Sequence, residues 1–119
     1  NPAGAAALAD SIDRYLAGRP LTMIAGVLRD KDYRRILPQL ARRAARFIAV
    51  RPDSPRALPP EETCREAAAF CSAAVWYEDY GEALRDALVH TPPTGVMVVC
   101  GSLYLAGPMR RIIQKFFSD

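Results

Sequence analysis

Apolar residues fall along this chain in two alternating rhythms, short continuous runs and stripes at helical spacing. Ala5, Leu8, Ile12, Tyr15 and Leu16 make the first stripe, with Asp10, Asp13 and Arg14 away from it. Asn1-Pro2 reads as its start, because Asn caps free amides and Pro fits the first helical position. Gly18-Arg19-Pro20 ends it. Leu21 to Val27 is an unbroken apolar run, as expected of a strand covered on both faces. After the turn Leu28 to Lys31, a second stripe holds Tyr33, Ile36, Leu37, Leu40 and Ala44, and Pro38 within it predicts a kink or an early end. Arg46 to Val50 is a second strand, Arg51 to Pro60 a loop rich in proline, Glu61 to Cys71 an Ala-rich helix and Ser72 to Tyr77 a third strand. Asp79 and Glu82 have capping-box spacing and open a helix that turns Ala83, Leu84, Ala87 and Leu88 inward. Thr91 to Gly95 is a turn. Val96 to Cys100 is the most apolar strand and is expected to be the most buried. A last helix faces Met109, Ile112, Ile113 and Phe116 inward, and Gly107-Pro108 should split it near its start.

Helix and strand therefore alternate from end to end. Strands joined through helices argue for an α/β fold: a Rossmann-like, mostly parallel sheet flanked by helices on both faces. Residues 1–119 read as one domain, with no internal repeat and no low-complexity linker. The opening helix has no strand before it, so the first strand of the domain is expected upstream of Asn1, which is itself not a Met.

Composition narrows the function classes. No apolar run approaches the roughly 20 residues of a membrane span, and no charged-then-apolar leader is present, so no membrane partner is expected. The net charge of +3 is spread along the chain. Its densest basic cluster, Arg34, Arg35, Arg42 and Arg43, lacks interleaved aromatic residues, and a solvated helix face fits it better than a nucleic-acid surface. Cys64, Cys71 and Cys100 fall at apolar positions without metal-type spacing, so buried reduced thiols and a cytoplasmic location are expected. His90, the sole histidine, sits at a predicted helix end and suits a surface or dipole contact. One His and no Cys pair at ligand spacing leave no metal site and no Cys-His nucleophile, and no catalytic residue is assigned.

In open α/β sheets, ligands bind beyond the carboxyl ends of the strands. That rule selects Asn1, Arg29 to Asp32, Arg51 to Arg56 and Gly101 to Tyr104. Gly101-Ser102 offers close backbone approach, a hydroxyl and a helix start, which together suit a carboxylate or phosphate. The dipeptide taken alone fits a plain turn better. The basic residues include only two Lys, Lys31 and Lys115. A Lys at a strand-to-helix turn suggests a point cation for an anion, against the alternative of a solvated turn residue. Arg56 is a weaker candidate of the same kind. Asp30 and Asp32 are expected to cap the helix that follows rather than bind metal. Neither GxxxxGK[ST] nor GxGxxG occurs.

Four segments in register resemble one family. Asn1-Pro2-Ala3-Gly4-Ala5-Ala6 is similar to the tail of an Asp-x-Ala-His-Asn-Pro motif, Gly26 to Asp32 to a strand with its Lys-Asp turn, Pro55-Arg56-Ala57 to a mid-domain segment, and Cys100 to Leu105 to a closing Gly-Ser-Leu-Tyr-Leu motif. They resemble the C-terminal domain of the folylpolyglutamate synthase/dihydrofolate synthase family, within the Mur ligase superfamily. The resemblance implies an ATP-dependent ligase that joins L-glutamate to dihydropteroate or a folate through an acyl phosphate. It implies ATP and Mg bound mainly by a central domain absent from these residues, so the 119-residue chain should be inactive alone. By resemblance, Lys31 and Ser102 hold glutamate carboxylates, Asp32, Arg56, Gly101 and Tyr104 are further substrate contacts, and Asn1 lies near the nucleotide. Pro108 departs from the family, which continues its helix there. The alternatives are another Mur-type ligase, which the Gly-Ser-Leu-Tyr-Leu wording disfavours, and a non-enzymatic α/β binding module such as a phosphoacceptor domain, for which no strand ends in the required Asp.

Overall fold

A computed structural model describes residues 2–101 and 103–117, with 103–106, 116 and 117 described along the backbone only. The elements run α1 (Pro2–Tyr15), β1 (Leu21–Ala25), α2 (Tyr33–Ala41), β2 (Arg46–Ala49), α3 (Pro60–Ala68), β3 (Ala74–Trp76), α4 (Tyr80–His90), β4 (Val96–Cys100) and α5 (Leu103–Phe117). The four strands form one sheet in the order β3-β2-β1-β4, every pair parallel. The alternating α/β pattern thus folds as expected.

Period-two alternation splits the strand side chains between two cores. Leu21, Met23, Ala25, Phe47 and Ala49 face α1, α2 and α3, meeting Ala5, Ile12, Ile36, Leu37, Leu40 and Ala67. Ile24, Ile48 and Val50 face the other way, onto Ala83 and Ala87 of α4 and Met109 of α5. Helices therefore cover both faces of the sheet. Each large buried side chain contributes about 1.5–3 kcal/mol of transfer free energy.

Several expectations need correction. The most buried strand is β1, buried at all five positions, whereas β4 is half-buried throughout. Among the described residues β4 has a strand on one side only, so its place in the sheet, not its hydropathy, sets its burial. The last helix is not split: α5 runs unbroken through Gly107-Pro108. A proline removes one main-chain donor, and Met109 beside it, 1% exposed, seats the helix in the second core. Tyr15 is 74% exposed and Ala9 is buried in its stead, because Ala5, Ala9 and Ile12 share one line of the helix and Tyr15 falls to its flank. The predicted Glu61–Cys71 helix spans Pro60–Ala68, with Pro60 at its first position, and the predicted Ser72–Tyr77 strand is only Ala74–Trp76. Helix α2 ends at Ala41, one turn beyond Pro38, so Ala44 packs from outside it. The Asp79 cap holds: its carboxylate accepts from the Glu82 amide at 2.9 Å.

Buried polar groups tie α4 to the sheet. Arg46, at the start of β2, donates through Nε and Nη2 to the Asp86 carboxylate at 2.6 and 2.8 Å, and the Tyr77 hydroxyl donates to the same group. The Asp86 side chain is only 5% exposed. His90 closes the helix with Nδ1 2.8 Å from the Asp86 carbonyl, the helix-end contact expected of it. The Arg46 fork holds the Asp86 carboxyl below the usual carboxylate range, against the opposing effect of burial and with help from Tyr77. A lowered pKa means that the folded state binds its proton less readily than the unfolded state. The pair's contribution is therefore present above the ordinary carboxylate pKa of about 4 and is lost as pH falls through the lower folded value. Replacing Asp86 by Ala, which leaves the half-buried Arg46 guanidinium without its carboxylate, should cost about 1.5–3 kcal/mol by urea denaturation at neutral pH. The gap between the native protein and Asp86→Asn should narrow as the titration is carried below about pH 4.

Candidate functional site at the carboxyl ends of the strands

The sheet order reverses at one place. From β1 the chain leaves through α2 on one face, and from β4 it leaves through α5 on the other. The adjacent carboxyl ends of β1 and β4, in register as Ala25↔Cys100, are thus a topological switch point, the place at which open α/β sheets generally form a ligand crevice. Lys31 lies in the turn that follows β1, and in the sequence Ser102 comes two residues after the end of β4. Ser102 and Asn1 lie outside the described residues, as does the side chain of Tyr104.

Close main-chain contact fixes these strand ends. The Gly26 amide donates to the Cys100 carbonyl at 3.4 Å. Gly101 has φ +109°, and a Cβ there would lie 2.2 Å from the Gly26 carbonyl oxygen. A Cβ at Gly26 would lie 2.7 Å from the Val50 carbonyl oxygen and 2.8 Å from the Pro52 ring. The ends of β4, β1 and β2 therefore touch main chain to main chain, with no room for side chains. Gly26 escaped the sequence reading as a site residue. Its signal was a glycine closing the apolar run just before a charged turn.

The turn beyond β1 is splinted by the Pro-rich loop. Leu28 and Ala57 form an isolated antiparallel bridge, and the Leu58 amide donates to the Val27 carbonyl at 2.9 Å. The Arg29 amide donates to the Arg56 carbonyl at 2.8 Å, and the Arg29 guanidinium to the Pro55 carbonyl at 3.2 Å. Arg56 in turn donates to the Asp30 carboxylate at 2.6 Å. Asp32 stands at the N-cap position of α2 but makes no capping bond with its side chain; its carboxylate lies 3.4 Å from Arg35. The expected capping role of Asp30 and Asp32 is corrected accordingly: the backbone at Asp32, with ψ 64°, lies outside the usual capping region, and both carboxylates meet arginines. Lys31 is exposed, and among the described residues its ammonium has no ion-pair or hydrogen-bond partner. The four consecutive side chains Arg29 to Asp32 are thus all engaged except the lysine.

Several other charged groups are tied up by the fold. Arg43 forks onto Asp13 at 2.9 Å, Arg34 meets Glu66, and Arg42 stacks 4.6 Å over Phe70. The basic cluster is thus largely tied up within the helical layer. A cleft of about 360 Å³ between α1 and Leu21 opens at the amino ends of the strands. Its two arginines are already satisfied, Arg43 by Asp13 and Arg19 by the carbonyls of Thr94 and Gly95. The opposite edge carries the uncommitted cation of Lys31. That edge also has a cleft of about 220 Å³ lined by Arg51, Asp53, Glu78, Tyr80 and Arg111. Arg51 there forks onto Glu78 at 3.1 and 2.9 Å, and Tyr80 donates its hydroxyl to the Arg51 carbonyl.

Cys71 is buried, and Cys64 and Cys100 are half-buried free thiols. Burial pushes the Cys100 thiol up to about 12, so it stays protonated at neutral pH and is a poor nucleophile. Among the described residues no group of three His, Cys, Asp or Glu side chains could hold a metal ion, and no helix is long and apolar enough to cross a membrane.

Fold and edge together define the class: an open, three-layer α/β domain with a parallel sheet and an exposed, uncommitted lysine in the turn after β1. The chain belongs to the Mur ligase glutamate ligase domain family, whose model matches residues 1–103. A folylpolyglutamate synthase of Lacticaseibacillus casei is 34% identical over 116 residues, covering 95% of this chain and 25% of its own length. The folylpolyglutamate synthase structure of Thermotoga maritima superposes with a TM-score of 0.80 at 31% identity, over all of this chain and 27% of that one. The structure of E. coli FolC in complex with DHPP and ADP gives a TM-score of 0.86 at 18% identity, over 98% of this chain and 27% of that one, a likeness of fold. The chain thus spans about a quarter of the length of these relatives.

Gly101→Ala should be among the most damaging single-methyl additions. The new Cβ meets a main-chain atom that cannot rotate away, and its φ is foreign to L side chains. A loss of about 2–4 kcal/mol is expected from urea titration, with the β1–β4 amides the first to lose hydrogen-exchange protection.

Proposed function

We propose that residues 1–119 form the glutamate-holding C-terminal domain of an ATP-dependent folate glutamate ligase, acting on dihydropteroate or a folate in the cytoplasm. The observation that carries the reading is the uncommitted Lys31 ammonium in the turn after β1, where Gly26, next after the strand, packs tightly against Gly101, the residue before Ser102 in the sequence. A dicarboxylic amino acid needs a cation for one carboxylate and amide or hydroxyl donors for another; in this reading Lys31 is the cation and Ser102, next after Gly101 in the sequence, the donor. Membership of the glutamate ligase domain family and the named folylpolyglutamate synthases support the choice of ligand.

The chemistry asked of these residues is positioning. Holding the amino acid by its carboxylates leaves its amine directed at an acyl phosphate carried elsewhere in the enzyme, and orientation of this kind accounts for several kcal/mol of a barrier. ATP and Mg supply the activation of the acceptor carboxylate when bound. The chain has no P-loop, and its described residues offer no metal-binding group, so neither ligand is assigned to this domain. Closure of the domain onto the rest of the protein would exclude water from the acyl phosphate.

In the full-length enzyme, Lys31→Ala should raise the glutamate KM about tenfold or more, the worth of a charge-assisted hydrogen bond, and Ser102→Ala about three- to tenfold. KM for ATP should barely move. Initial-rate kinetics with each substrate varied in turn checks this, and unchanged glutamate kinetics in both variants would remove the site. The 119-residue chain alone should hydrolyse no ATP, as followed by phosphate release.

A further inference from the structure

Lys31 is flanked in the chain by two carboxylates, Asp30 and Asp32. Either is a natural partner for its ammonium, since opposite charges this near in the chain attract. Neither takes it. Asp30 is held by Arg56 at 2.6 Å and Asp32 lies 3.4 Å from Arg35. Arg56 comes from a different part of the chain, and its backbone is fixed on both sides: its carbonyl accepts from the Arg29 amide, and its own amide donates to Ser54 Oγ at 3.2 Å.

We propose that Arg56 is a positioning residue that sequesters the Asp30 carboxylate and so keeps the Lys31 ammonium available to an anionic ligand. Arg35 does the same for Asp32 over a longer distance. An arginine suits the task because its guanidinium stays charged and grips a carboxylate with fixed geometry, whereas the lysine it protects remains a mobile point charge. The inference rests on Lys31 as the carboxylate-binding group. It changes the role expected of Arg56 from substrate contact to control of an internal competitor.

Competition has a kinetic signature. With Arg56 neutralised, Asp30 is released to pair with Lys31, and the substrate carboxylate must displace it. The KM for L-glutamate in the full-length enzyme should rise about three- to fivefold for Arg56→Gln, the upper range for a partly exposed ion pair, while kcat at saturating glutamate and the KM for ATP stay near native values. Adding Asp30→Asn to Arg56→Gln removes the competitor and should bring the glutamate KM back to within about twofold of native. Arg56→Lys, which keeps a cation for Asp30, should rise less than Arg56→Gln. Melting temperatures of all variants accompany the kinetics. A direct contact between Arg56 and substrate, or a purely structural clasp, predicts no recovery in the double variant, because both losses persist. The proposal is therefore overturned if Arg56→Gln leaves the glutamate KM unchanged, or if the double variant stays as impaired as the single one. Lys31→Ala measured alongside separates the two levels: no effect there removes the lysine reading and this proposal with it, whereas a raised KM there without recovery in the double variant removes this proposal alone.

Discussion

Burial of β1 on every side is the constraint from which the geometry of the strand ends follows. Its five residues are bonded to β2 and β4 and covered by helices on both faces, so its carboxyl end cannot shift or fray. A polar turn leaving such an anchored strand starts from a fixed point. That fixed point is what a mobile lysine needs if its ammonium is to serve a particular ligand. Rigidity comes from the hydrophobic effect in the layers and is transmitted by main-chain contact at the tips, where Gly26, Gly101 and Pro52 leave no slack.

Charge is divided along the same lines. Arginines carry the structural pairs, deep in the case of Arg46 with Asp86 and shallow in those of Arg43 with Asp13 and Arg51 with Glu78. The shallow pairs sit in solvent and contribute little to stability. Their larger effect is to occupy carboxylates, so that a domain of modest net charge still presents an uncommitted amine in the turn after β1.

Much of this was legible in the chain. Continuous apolar runs at Leu21 and Val96 marked strands covered on both faces, and helical stripes between strands implied parallel pairing. The Asp79–Glu82 spacing located the start of α4. Hydropathy misjudged β4, because a run such as Val-Met-Val-Val-Cys reports affinity for a core and not the number of neighbouring strands. Tyr15 was drawn inward by spacing alone, though a ring with a polar tip at the flank of a stripe is stable in water. Pro108 looked like a break because local rules omit the hold that Met109 gives the helix. At the site, Lys31 was visible as a rare residue type in a turn. The partners of its neighbours were not: Arg56 and Asp30 meet only because the Pro-rich loop folds back on the turn, a long-range fact without local signature.

The junction of Gly26 with Gly101 carries a genetic consequence. The atom that blocks a side chain at position 101 is the carbonyl oxygen of residue 26, which belongs to every amino acid alike. No replacement at residue 26 can clear that space, so a lesion at position 101 has no suppressor at the position it strikes. Recovery would require the two strand ends to part, and their main-chain contact would be lost with them.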